Sequence, residues 1–183
     1  MSESVFIKQC APTLAGIKTG SLFPCDFADN EELISDVREI NRMLAPKGLS
    51  LVVMRKTGTR ALMYLYRPDK LRRDMQSELA CQLVKNAGYS GSTCGELVAW
   101  LTRKIREGEG FPHEIGLLLG YPPEDVKGFI DNGAANFKCV GCWKVYGDAE
   151  RAEKTFESYR KCTENYYKRW QSGASVEQLA VKM

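Results

Sequence analysis

Residues 49–66 constrain this chain more than any other stretch, because they read as a β-hairpin. Leu49, Leu51 and Val53 alternate onto one face. Lys56-Thr57-Gly58-Thr59 supplies a turn, and Arg60-Ala61-Leu62-Met63-Tyr64-Leu65-Tyr66 follows, apolar and aromatic enough for a pleated surface. Most of what comes later carries helical spacing. That order predicts an α+β fold, a small, mostly antiparallel sheet containing this hairpin and covered by helices, over a parallel sheet of alternating units. A length of 183 residues, set against roughly 150 per domain, makes 1–183 one expected domain.

The helical segments follow from apolar spacing and punctuation. Leu33, Val37, Ile40 and Leu44 share a face in residues 31–44, with Asn30 to cap the start and Pro46 and Gly48 to stop it. After Pro68, the stripe Leu71, Met75, Leu79 and Leu83 runs on to Gly88. Thr93 and Glu96 form a capping box for a helix that buries Leu97, Leu101 and Ile105, and Gly108-Glu109-Gly110 breaks it. Residues 112–119 and 123–130 make two short helical segments joined by Gly120-Tyr121-Pro122. Cys142 to Tyr146 reads as a short strand, and a long helix over residues 149–171 follows. Near the start, Val5-Phe6-Ile7 opens a short helix or strand, and residues 13–23 alternate weakly, as a segment lying against the hairpin does.

Composition excludes several function classes. Hydrophobic residues at 44% and charged residues at 27% match a globular chain and argue against disorder. A net charge of +3 is too small to draw in nucleic acid or an anionic membrane by bulk attraction. No apolar run approaches the ~20 residues of a membrane span, and the first residues lack the basic and apolar regions of a signal peptide. The seven cysteines are odd in number and fit no disulfide framework. Free thiols in a cytoplasmic protein, with no membrane and no nucleic-acid partner, are therefore expected.

Several residues are candidates for chemistry. His113, the only histidine, stands beside Glu114 at the start of a helical segment, where a neutral imidazole and an ionised carboxylate suit acid/base or ligand roles. Cys10 adjoins a proline turn and is a candidate nucleophile if a cation such as Lys8 or Lys18 lies near. Cys139 and Cys142 form a C-x-x-C, half of a metal knuckle, and Cys162 lies at a suitable distance to add a third ligand. Cys81 and Cys94 fit helical core positions. Gly116, Gly120, Val126 and Phe129 have helix-turn-helix spacing, but the second helix carries Glu124, Asp125 and Asp131, which oppose phosphate contact. On the long helix, Arg151, Glu153, Lys154, Glu157, Arg160, Lys161 and Glu164 read as a solvated face with pairing one turn apart.

The ordered segments Cys10-Ala11-Pro12-Thr13-Leu14-Ala15-Gly16, Phe111-Pro112-His113-Glu114-Ile115-Gly116 with Leu119-Gly120-Tyr121-Pro122, and Trp143-Lys144-Val145-Tyr146-Gly147 resemble a family of unknown function from anaerobic bacteria. The resemblance covers nearly the whole chain. It carries no assigned activity and no catalytic residues, and it implies a link to iron, haem or redox chemistry. The leading expectation is a thiol- or metal-dependent intracellular protein, with His113, Glu114 and Cys10 as acid/base or nucleophile. Cys139, Cys142 and Cys162 would then hold a metal, with iron, haem or zinc as the candidate cofactors. The alternative is a non-enzymatic module that binds a small molecule or a protein, and helix-turn-helix DNA binding ranks third. Convergence of His113 with a cysteine in one cleft favours chemistry, and cysteines packed singly favour the module.

Overall fold

The computed structural model describes residues 2–108 and 111–183. The chain opens with helix α1 (Glu3–Leu14), followed by strand β1 (Gly20–Asp26) and helix α2 (Asn30–Leu44). The hairpin is β2 (Ser50–Thr57) and β3 (Arg60–Tyr66). Helices α3 (Pro68–Asp74), α4 (Glu78–Asn86), α5 (Cys94–Glu107), α6 (Ile115–Leu118) and α7 (Pro123–Asp131) come next. A short pair, β4 (Cys139–Val140) and β5 (Lys144–Val145), leads to the long α8 (Ala149–Gln171) and the terminal α9 (Val176–Leu179). The fold is α+β. The main sheet has the order β1-β3-β2, antiparallel throughout, and β4 pairs antiparallel with β5.

The near-continuous apolar run of β3 is explained by its place at the sheet centre. Ala61, Met63 and Leu65 point to one core, and Leu62, Tyr64 and Tyr66 point to the other. Helices α1, α2, α8 and α9 cover the first face, and α3 to α7 cover the second. A central strand covered on both sides loses the apolar/polar alternation that a half-exposed strand shows. The β2 edge is closed by side chains. Asn41 on α2 gives its Nδ2–H to Leu51 O and accepts from Leu51 N, both at 2.8 Å, as a neighbouring strand does. Arg106 donates to the carbonyls of Val53 and Met54, both at 2.9 Å, where the β2–β3 register shifts by a residue.

Several local expectations shift. Asp29, not Asn30, caps α2, its Oδ1 accepting from Glu32 N at 2.8 Å. The stripe through Leu71 and Leu83 is two helices, because Ser77 caps a fresh start at Glu78. Pro12 lies inside α1 and not on a turn, which carries Cys10 into the helix. Residues 112–114 precede α6, so His113 stands before the helix and not at its first turn. Cys139 is itself in a strand, and the strand read over residues 142–146 is confined to Lys144–Val145. The break expected at residues 108–110 falls partly outside the described residues; Gly108 ends α5 in extended backbone. Among the described residues no helix is long and apolar enough to cross a membrane.

Candidate functional site

A cleft of about 220 Å³ opens where the α1–β1 turn, α3, the α6–α7 turn, the β4–β5 turn and the start of α8 meet. Its floor is built from the Thr19 side. Thr19 is buried, its hydroxyl donates to the Asp74 carboxylate, and its carbonyl accepts from Arg67 N at 2.9 Å. Gly120 packs onto Thr19 with φ +76°, and a Cβ there would stand 2.5 Å from Thr19 Oγ1. Glycine is needed at this position both for the left-handed backbone and for the close approach.

The opposite wall depends on Asp125. This carboxylate is buried on α7 and accepts from Trp143 Nε1, Tyr146 N and Gly147 N, each at 2.7 Å. Three N–H donors replace the water that a buried carboxylate loses. They also pin the Trp143–Gly147 segment to α7. Trp143 is sandwiched, with the Tyr121 ring stacked at 4.8 Å and the Phe156 ring edge-on at 4.5 Å. Asp125 therefore faces inward, away from any surface that a second helix would offer to DNA.

Charged groups ring the mouth. Lys70 and Asp74 come from α3, Glu124 from α7, and Asp148 and Arg151 from the start of α8, with Tyr159 one helical stretch further on. Asp148 is occupied as the α8 cap, accepting from Arg151 N at 3.0 Å. Arg151 also lines two adjoining recesses, of about 530 and 280 Å³, that share residues with this cleft.

Behind the cleft, the half-buried Lys18 ammonium lies 5.9 Å from the Tyr121 ring centroid and 5.8 Å from that of Tyr159. Burial draws its pKa down, and the Cys142 and Cys10 thiols oppose this. Burial in turn pushes the Tyr121 phenol up to about 12, with help from Cys142. The same burial raises the Cys142 thiol, and Lys18 offsets part of the rise. Tyr121 donates its hydroxyl proton to Cys142 O at 3.1 Å, which ties the β4–β5 turn to the α6–α7 turn.

The residues singled out from sequence are dispersed. His113 is exposed, its ring edge-on to Phe129 at 4.9 Å, and Glu114 is half-buried beside it. Cys10 is completely buried in the core under α1, and burial raises its thiol far above the ordinary value. Cys162 packs at the edge of that same core. Cys139 joins the small cluster around Trp143, and Cys142 is exposed on the turn. Among the described residues, no three His, Cys, Asp or Glu side chains are grouped so as to hold a metal ion. Cys81 and Cys94 are half-buried, and Cys94 packs against the second core.

Sequence reasoning missed Lys70, Asp74, Arg151 and Tyr159. Lysines, aspartates and arginines on amphipathic helices look like solvated faces, and only packing shows that three helices aim theirs into one space. A usable signal did exist. The motif segments at residues 111–122 and 143–147, apart in sequence, both reach this cleft, and Ile17 and Thr19 reach it from just beyond the segment at residues 10–16.

Neither the curated proteins nor the solved structures yield a match to the chain. The sequence model of the family described as Protein of unknown function (DUF3793) matches residues 6–180, and the chain belongs to that family.

Proposed function

We propose that the protein is a binding module that takes a small polar ligand in the cleft between α3, α7 and α8. One observation carries this reading. Two of the motif segments meet there with the α1–β1 turn, and the cleft they shape is also lined by Lys70, Glu124 and Arg151, which have no hydrogen-bonded or ion-paired side-chain partner among the described residues. Such groups converging on a shaped recess with an aromatic wall are the usual furniture of a ligand site. The thiol reading draws less support, because His113 and Cys10 lie in different surroundings and the remaining cysteines are spread over separate clusters.

The test is amide and indole NMR of the uniformly labelled protein against a set of polar fragments. Fragments that bind should move the signals of Thr19, Gly120 and the Trp143 indole N–H together, and Cys142→Ser should leave those shifts in place. Shifts confined to His113 and Glu114, or a response abolished by Cys142→Ser, would instead favour chemistry at those residues.

A further inference from the structure

We infer that the ligand of this cleft is a zwitterion of free amino-acid size, its anionic group held by Lys70 and Arg151 and its cationic group by Asp74 and Glu124. The inference rests on the cleft being a ligand site, as proposed above, and adds the ligand's charge pattern.

Arg151 is the first indication. Three other basic side chains of α8 find carboxylates within one turn, whereas Lys168 and Arg169 lie in its last turn, where the helix dipole favours cations. Lys154 pairs with Glu150 at 2.6 Å, Arg160 with Glu157 at 2.7 Å and Glu164 at 2.6 Å, and Lys161 with Glu157 at 3.2 Å. Arg151 has Lys154 and Thr155 at the corresponding positions ahead of it and Asp148 behind it, and Asp148 serves the backbone as a cap. An arginine in the first turn of a helix also gains nothing from the helix dipole, which disfavours cations there. Arg151 instead lines the same recess as Lys70. Two cations facing one space, neither ion-paired among the described residues, call for an anion between them.

The carboxylates narrow the choice. Asp74 spends one oxygen on the Thr19 hydroxyl and keeps the other, and Glu124 has no side-chain partner among the described residues. A purely anionic ligand, such as a phosphate or a dicarboxylate, would meet repulsion from this pair. A purely cationic one would meet Lys70 and Arg151. A molecule carrying both charges satisfies both pairs.

Size and surface fix the rest. The recess that holds all four charged residues, about 220 Å³, lies below the ~300–1,000 Å³ typical of drug-sized ligands, and the adjoining recesses of about 280 and 530 Å³ are more open to the outside. Tyr159 and Trp143 also line the cleft. Trp143 has committed its N–H to Asp125 and its ring to Tyr121 and Phe156, so Tyr159 is the aromatic surface left for an apolar part of the ligand.

The experiment is calorimetric titration of the full chain with the twenty free α-amino acids. The best binder is then compared with its N-acetyl form, which keeps only the anion, and its methyl ester, which keeps only the cation. The free amino acid should bind at least about tenfold more tightly than either derivative, the factor that corresponds to about 1.4 kcal/mol. Arg151→Gln should weaken the free and N-acetyl forms and spare the ester. Glu124→Gln should weaken the free and ester forms and spare the N-acetyl form. A derivative that binds as tightly as the free amino acid overturns the zwitterion. If no amino acid binds while polar fragments still move Trp143, the ligand class is wrong and the cleft reading stands. If neither amino acids nor fragments bind, both fall.

Discussion

Cys10 shows how strongly position governs a thiol. Its pKa is raised far above the ordinary 9.0 because burial disfavours the thiolate, although Lys18 pulls the other way. Cys162 is pushed up to about 11 by burial, and burial raises Cys25 as well. For each, the native chain keeps its proton more tightly than the unfolded chain, which ionises near 9.0. Their stabilising contribution is therefore complete below that value and is lost as pH climbs toward the folded values. Lys18 has the opposite sign, since its lowered pKa releases a proton from the native state first. One amine against five raised thiols, Cys94 and Cys142 included, with the buried Tyr64 phenol also raised, leaves the thiol sign dominant. The urea midpoint should stay level between about pH 7 and 8 and drop by about pH 10. An equal midpoint at the two ends would refute this account. Alkylation under native conditions should label the exposed Cys142 first and leave Cys10 for the denatured chain.

At the level of elements, α7 carries a glycine where helix propensity asks for alanine. Gly128 sits in the middle of Pro123–Asp131, and the Tyr146 ring lies directly over it, so that an added methyl would overlap the ring. Gly128→Ala gains about 1 kcal/mol of intrinsic helix propensity but forces Tyr146 away, at a cost of about 1–3 kcal/mol from overpacking. Because Asp125 pins the Tyr146 and Gly147 amides to the same helix, the segment has little freedom to yield. The variant should be less stable than the parent in urea titration, and its Trp143 fluorescence should shift toward that of an exposed indole. A more stable variant would mean that propensity outweighs packing here. Gly116 follows the same logic against Val126 and Tyr121, so the glycines that suggested helix-turn-helix spacing serve close contacts within the fold.

Across the whole molecule, Arg67 draws distant parts of the chain together. It is almost fully buried, with its guanidinium donating to Thr13 O and Leu14 O at 2.7 Å, Val181 O at 2.8 Å and Lys47 O at 3.1 Å. Burial lowers its pKa, yet no carboxylate takes part in these bonds; the carbonyls at the α1 C-terminus supply the negative end of a helix dipole. The C-terminal tail adds Val181 N to Leu14 O at 3.0 Å, and Val176, Leu179 and Ala180 enter the core. A lysine ammonium cannot reproduce the planar fork that reaches all four carbonyls. Arg67→Lys should cost about 3 kcal/mol, since each orphaned buried acceptor costs about 1–3 kcal/mol. Removal of residues 176–183 should cost at least as much. Combining the two should cost less than their sum, because both remove the bond to Val181. Strict additivity in urea denaturation would show that Arg67 and the tail act separately.

The sequence by itself determined the elements whose physics is local. Alternation and a glycine turn gave the β2–β3 hairpin, the Thr93–Glu96 capping box gave the start of α5, and apolar spacing gave the span of α8. It also carried the α+β class, because a hairpin followed by helices leaves few arrangements. The aromatic-basic end of α8 packs on α1 and joins the core on the first face of the sheet. Tyr166 is buried there, Lys8 lies 4.4 Å over Tyr167, and Trp170 Nε1 donates to Glu3 at 3.1 Å. The cleft was not legible in the sequence. Its charges sit on α3, α7 and α8, and each is ordinary on its own helix. Their convergence follows from Gly120 closing onto Thr19 and from Asp125 anchoring the Trp143 segment. These contacts join residues about 100 and 20 positions apart respectively, separations at which chain spacing no longer constrains geometry and packing decides.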